Sequence, residues 1–259
     1  MKDIVEFLQN VFISFLKLSF FKKFFITYVG CWIGFFSMLL FSKALYLFYT
    51  KNIVTTAGVI ASKKFEVISG AVSSHVGYNY FSIVLSYFIN NSLACTIILL
   101  TFPSMAYLYK RDMVYNRSSL RDYLNILILF YFIVVINPMT GIIGYNIDLK
   151  NIFVIFPHGI FEFAGFALSI VVGIVIANRI IPINNELIKE ENTSRKNEHY
   201  KHYISRGILI VKIMAIYLLI GVAGFLEPLD WMIYNYAIQN NLNVLDIMIK
   251  VYMHLLMNF

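Results

Sequence analysis

The chain has 259 residues, 59% of them apolar or aromatic and only 14% charged, with a net charge of +7. Soluble domains carry about 25% charged residues, and no segment between the apolar runs is long and apolar enough to build a separate soluble core, so composition excludes an ordinary water-soluble enzyme. The basic residues cluster between apolar runs, where they read as topology signals and contacts with anionic lipid and not as a nucleic-acid surface.

Taken in order, the chain predicts an all-α integral membrane bundle of about five spans with an amphipathic helix at each end. Residues 3–20 alternate Asp3, Glu6, Gln9, Asn10, Ser14 and Lys17 with Phe7, Leu8, Val11, Phe12, Phe15 and Leu16 at helical spacing, the pattern of a helix lying on a membrane. Lys22 and Lys23 precede the first apolar run, about 24–48, which is too long for a cleavable signal and lacks a small-residue cleavage site. A moderately polar loop, about 49–79, follows. The second span is about 80–108, the third about 124–145 and the fourth runs to about 178, with residues 152–156 read either as its start or as an outer re-entrant segment. Residues 179–206, the most charged part, read as short helical pieces. The fifth span is about 207–227, and Pro228 is expected to end its helix. Residues 231–259 read as one further amphipathic helix. The organisation is a single membrane domain: 1–23 interfacial, 24–227 the five-span bundle, 228–259 the tail.

Charge fixes orientation. The N-terminal segment, 109–123 and 179–206 together hold fourteen Lys and Arg, and the opposite set of connections holds five. The positive-inside rule places the first set in the cytoplasm, N-in and C-out, in a cell-membrane protein. Gly30 and Gly34, and Gly165, Ser169 and Gly173, are small residues at four-residue spacing that allow close helix packing. Cys31 and Cys95 lie in apolar runs and read as buried free thiols. Lys43 and Lys212 lie near span ends and read as snorkelling.

Ionisable groups at membrane depth are expensive and mark functional candidates. The fourth span opens with Pro157-His158-Gly159-Ile160-Phe161-Glu162. Proline suits a first helical turn, and His158 and Glu162, four apart, share a face. Glu227 closes the fifth span. Topology brings His158, Glu162 and Glu227 to the outer third of the membrane, with Asn137 and Thr140 from the third span and Asn90 and Asn91 from the second at the same level. One imidazole and two carboxylates suit zinc with an open position that activates water; without a metal, a carboxylate is the general base and His158 its partner. The same groups, satisfying one another, would equally fasten helices together. No Walker loop, dinucleotide fingerprint, HExxH or CxxC is present.

Pro157-His158-Gly159-Ile160-Phe161-Glu162 resembles the PHGxxE signature of the stage II sporulation protein M family. Asn90-Asn91 resembles that family's NN pattern. Asn137-Pro138-Met139-Thr140-Gly141-Ile142-Ile143-Gly144 resembles its Asn-Gly-x-x-x-Gly stretch with residues inserted after Asn137, and Glu227 matches its acidic residue near the end of the last span. The resemblance covers about 80–230. It implies a five-span membrane protein, not sporulation itself; some PHGxxE members are encoded beside head-to-tail cyclised bacteriocins and are suspected of maturing or exporting the peptide.

These readings converge on an expectation: a membrane protein acting on a hydrophobic secreted peptide, by leader cleavage, head-to-tail cyclisation or an export-coupled step, with Glu162 or Glu227 as general base and His158 as metal ligand or oxyanion partner. A partner such as an ABC transporter would supply the ATP site that this chain lacks. The alternatives are a non-catalytic scaffold for envelope remodelling or peptide export, and proton-coupled transport or immunity through the same His and Glu residues.

Overall fold

The computed structural model describes residues 2–48, 52–136, 149–183 and 206–257. Within them the chain is all-α: α1 Lys2–Lys17, α2 Phe20–Phe48, α3 Asn52–Val76, α4 Tyr80–Val114, α5 Leu120–Ile136, α6 Phe156–Ile180, α7 Arg206–Gln239 and α8 Val244–Met257. A 3₁₀ segment, Leu149–Ile155, runs directly into α6, so residues 152–155 belong to that segment. Four stretches, Phe20–Leu45, Tyr80–Val114, Asn151–Ile180 and Gly207–Gln239, are long and apolar enough to cross a membrane. Each exceeds the ~20 residues that a hydrocarbon core of about 30 Å requires. The protein is therefore a multi-pass membrane protein. The third expected span, 124–145, is helical through Ile136 in α5; its remainder lies outside the described residues, as do 184–205 of the basic loop.

The stretch containing α6 is buried along most of its length, whereas the other three turn most of their surface outward. What they expose is apolar: Phe25, Ile33, Leu100, Val211 and Leu218 are each more than half exposed. Lipid tails are as apolar as leucine, so such side chains are solvated where they stand.

Three expectations about local structure need correction. Residues 52–76, expected in a polar loop, form α3. Its serines donate backwards to carbonyls one turn earlier, Ser62 to Val59, Ser69 to Glu66, Ser73 to Gly70 and Ser74 to Ala71, so hydroxyls that would otherwise compete with the helix are satisfied inside it. Second, α7 does not stop at Glu227 but continues through Pro228 to Gln239. Proline removes one N–H, leaving the Gly224 carbonyl without its helical donor, and crowds the preceding turn; in that turn the Tyr80 hydroxyl donates to the adjacent Phe225 carbonyl at 2.9 Å, and neighbouring helices are what make proline tolerable inside a membrane helix. Third, the tail is two helices. Asn241 takes the left-handed conformation (φ 54°), while Leu242 N–H bonds Ala237 O at 2.8 Å and Asn241 N–H bonds Ile238 O at 3.2 Å, the bonding of a Schellman end. Asn243 Oδ1 then accepts from Leu245 N–H at 2.9 Å and caps α8.

By contacts the chain divides into two compact units: Met1–Trp32, Cys95–Ile136 and Phe166–Ile216 form the first, and Ile33–Ala94, Asn137–Gly165 and Tyr217–Phe259 the second. In the first, α1 packs on α5. Gln9 donates to Asn125 at 2.7 Å, and the rings of Phe12, Phe15 and Tyr131 lie 5.2–5.6 Å apart. Lys23, expected as a flanking charge, sits inside α2 and donates to the Leu16 carbonyl at the end of α1, an acceptor that a helix C-terminus leaves open. Gly30 faces Val135 of α5, and Gly173 faces Leu99 and Phe102 of α4. Cys31 and Cys95 are buried and not joined in a disulfide.

Candidate functional site

The polar side chains of interest fall in the second unit, and glycine sets their distance. A Cβ on Gly224 would lie 3.0 Å from the Phe88 nitrogen and 3.2 Å from its Cα, so α4 and α7 touch backbone to backbone. One turn further along each helix stand Asn91 and Glu227. Asn90 donates its amide to Asn91 Oδ1 at 3.0 Å. Asn91 is 5% exposed and, with Trp231, turns a hydrogen-bonding group toward the Glu227 carboxylate. Even so, Asn91 Nδ2 and Glu227 Oε2 are buried without a properly formed hydrogen bond among the described residues. Groups in that condition are costly, by about 1–3 kcal/mol each, and in native proteins they call for an explanation such as function.

α6 supplies the imidazole. The 3₁₀ segment delivers Phe156 and Pro157 into its first turn, where proline has no donor to lose. His158 is 4% exposed and Asp230 fully buried; His158 Nδ1 and Asp230 Oδ2 are 2.7 Å apart. Asp230 lies three residues beyond Glu227, on the same face of α7. Its other oxygen accepts from the Tyr252 hydroxyl of α8 at 2.5 Å, and α8 also packs on the 3₁₀ segment that leads into His158. Burial, then the Asp230 hydrogen bond and charge, push the Tyr252 phenol up, which keeps it a neutral donor. Glu162 lies within electrostatic reach of His158, and Glu227 within reach of both Glu162 and Asp230. Tyr87 on α4 faces the same two glutamates.

The structure thus brings together five of the seven residues that sequence singled out: His158, Glu162, Glu227, Asn90 and Asn91. Asn137 and Thr140 lie outside the described residues. The zinc arrangement expected of His158, Glu162 and Glu227 is not formed: among the described residues no three His, Cys, Asp or Glu side chains come together so as to hold a metal ion. The three side chains do not converge on one point, although the Asp230 bond to His158 Nδ1 leaves Nε2 open. What the geometry offers is proton handling: an imidazole oriented by one carboxylate, with two further carboxylates alongside.

Asp230, Tyr252 and Trp231 were not expected here. Asp230 was assigned to the tail because Pro228 was taken as the helix end; had the helix been carried on, the three-residue spacing from Glu227 would have put it on the same face. Tyr252 leaves no such trace, since one tyrosine on an amphipathic helix has no sequence partner.

Comparison with known proteins adds kinship. The chain is 35% identical over 246 residues to Uncharacterized protein MJ0096 of Methanocaldococcus jannaschii, an alignment covering 88% of this chain and 87% of that one. The chain belongs to the same family as that protein. No family model matches it, and no solved structure matches it.

Proposed function

We propose that this chain is a membrane-embedded acid–base enzyme, of the stage II sporulation protein M type, that matures a hydrophobic secreted peptide. The observation that carries the reading is the buried His158–Asp230 pair at 2.7 Å beside Glu162 and Glu227, in a chain with no ATP-binding motif. A structural network tends to leave its members satisfied, whereas Glu227 Oε2 and Asn91 Nδ2 are not. The PHGIFE opening of α6 supports the family assignment. In this reading the chain has five spans with α5 beginning the third, N-in and C-out. α6 then enters from the outer side and α7 ends there, so His158, Glu162, Glu227 and Asp230 occupy the outer leaflet, where a peptide leaving the cell is met.

The chemistry is acyl transfer at a peptide carbonyl. A water, for leader cleavage, or the peptide's own amine, for cyclisation, loses a proton to His158 Nε2 or to a Glu162 or Glu227 carboxylate as it bonds to the carbonyl carbon. In leader cleavage the C–N bond between leader and peptide breaks and the same proton passes to the departing amine; in cyclisation the C–O bond of the C-terminal carboxyl breaks and the proton leaves with that oxygen as water. Asn91 Nδ2 is a donor suited to the oxygen that gains charge.

The test is mass spectrometry of hydrophobic peptides in the medium of cells making wild-type protein or the His158→Gln, Glu162→Gln or Glu227→Gln variant at equal protein level. Wild type is expected to yield a peptide that has lost a leader, or one whose termini are joined, and each variant to accumulate the precursor. Unchanged maturation in all three variants would defeat the proposal.

A further inference from the structure

Two hydrogen bonds, 2.7 Å to His158 and 2.5 Å to Tyr252, converge on one fully buried carboxylate. They use different oxygens, and they tie three chain segments together: the start of α6, the last third of α7 and the middle of α8. We propose that Asp230 is the positioning residue of this site. Held by Tyr252 through Oδ1, it fixes His158 as the tautomer protonated on Nδ1, so that Nε2 is the nitrogen that takes and returns a proton. This deepens the acid–base reading above and takes from it only the role of Nε2.

The argument starts from the donor and acceptor inventory. A phenol that keeps its proton gives Asp230 Oδ1 a donor. An ionised carboxylate only accepts, so Oδ2 must meet a donor as well, and Nδ1–H is the one at hand. The two donors replace the solvation that a buried carboxylate loses. An imidazole carrying its proton on Nδ1 leaves the Nε2 lone pair bare, and this second-partner control of the tautomer is how histidine is prepared as a base. His158 sits one turn from Glu162 on α6 and within electrostatic reach of it, so a second carboxylate stands near the imidazole that Asp230 orients. Among the described residues, Glu162, Glu227, Asp230, Tyr252, Tyr87 and Tyr80 are titratable groups that act on one another in this cluster.

α8 takes on a role with this assignment. It is not a trailing amphipathic helix but the carrier of the hydroxyl that completes the Asp230 shell. The Asn241 turn, with its two Schellman bonds, folds α8 back so that Tyr252 reaches a residue 22 positions earlier.

The experiment is ¹⁵N NMR of the full-length protein with ¹⁵N-labelled histidine, reconstituted in lipid bilayers at mildly alkaline pH. The chain has five histidines, and the His158 signals are those absent from a His158→Gln sample. The wild type is expected to show a protonated Nδ1 and a bare Nε2. Asp230→Asn is expected to shift His158 toward the tautomer protonated on Nε2 or to a mixture. Tyr252→Phe, the milder change, keeps the wild-type tautomer but moves the Nδ1 shift. A bare Nδ1 in the wild type, or a folded Asp230→Asn protein with unchanged His158 signals, would overturn the assignment. The wild-type spectrum is decisive even where Asp230→Asn fails to fold. The expected tautomer together with peptide maturation that survives His158→Gln, Glu162→Gln and Glu227→Gln alike would leave the positioning intact and remove the proposed function instead.

Discussion

The two units are built partly from the same helices, since α2, α4, α6 and α7 each contribute to both, yet they are held together by different physics. The first unit is fastened by ring packing, close glycine contacts and polar bonds that pair off: Gln9 with Asn125, Lys23 with a helix-end carbonyl, the Thr27 hydroxyl with that of Tyr131 at 3.2 Å. The second gathers Asp230, His158, Glu162, Glu227 and Asn91, three carboxylates beside one imidazole; buried side-chain atoms without a hydrogen bond occur in both units, Ser118 Oγ and Tyr123 OH in the first and Asn91 Nδ2 and Glu227 Oε2 in the second. Along α6 the change falls within a few turns: His158 and Glu162 stand near its start, and from Phe166 to Ile174 every residue is buried and Ser169 is the one polar side chain. Ionisable groups gathered at membrane depth are expensive, and this clustering of carboxylates, not unpaired atoms as such, is why the function proposed above is assigned to the second unit.

Asp230→Ala tests that contrast most severely. It strands a buried imidazole and a phenol, and breaking such a pair from one side costs about 3–5 kcal/mol. Thr27→Val, which removes an interhelical hydroxyl bond in the first unit, is expected to cost roughly 0.6 kcal/mol, the average for such bonds in a membrane bundle. Thermal unfolding in one detergent measures both; similar losses would erase the distinction between the units.

A second comparison sits within the site itself. Gly224→Ala drives a methyl against the Phe88 backbone at 3.0 Å, which cannot rotate away, so a loss of about 1–3 kcal/mol is expected. Gly221→Ala meets only the edge of the Phe88 ring at 3.8 Å and, with alanine the better helix former by about 1 kcal/mol, is expected to be neutral or mildly stabilising. Equal effects at both positions would mean that the α4–α7 approach is not what sets Asn91 against Glu227.

Glu227→Gln separates an enzyme from a scaffold. Glu227 Oε2 makes no hydrogen bond among the described residues, so an isosteric, uncharged replacement is expected to change stability by no more than ~1 kcal/mol while abolishing peptide maturation. A large fall in folded protein, matched by the fall in function, would favour the scaffold.

How much of this was legible in the sequence follows from range. Features set by one helix were readable: the apolar runs, the 158–162 spacing, the Asn90-Asn91 pair. Even the gathering of His158, Glu162 and Glu227 followed from the alternation of span directions. What was missed depends on a neighbour. Pro228 ends a helix in water, but inside this bundle α7 runs through it to Gln239, and that one error hid Asp230, and with Asp230 the partner that orients His158. α3 was missed in a similar way: the polarity of 49–79 reads as a loop, yet Ser62, Ser69, Ser73 and Ser74 each bond within the helix.

The smallest expected effect lies at the edge of the first unit, where α5 begins. Ser119 and Asp122 cap one another: the Ser119 N–H and hydroxyl both donate to Asp122 Oδ2, at 3.0 and 2.7 Å, and the Asp122 N–H donates to Ser119 Oγ at 3.2 Å, a reciprocal capping box. The Ser119 bonds hold the Asp122 carboxyl below its ordinary value. A carboxyl with a lowered folded-state pKa stabilises above its unfolded value and loses that contribution as pH falls through the folded one. Because Asp122 is exposed, solvent screening keeps the effect local. Hydrogen-exchange protection at the Tyr123 and Leu124 amides is therefore expected to weaken on acidification in the wild type and to stay nearly flat in Asp122→Asn. A wild-type and variant that fray in parallel would show that the cap does not control the start of α5.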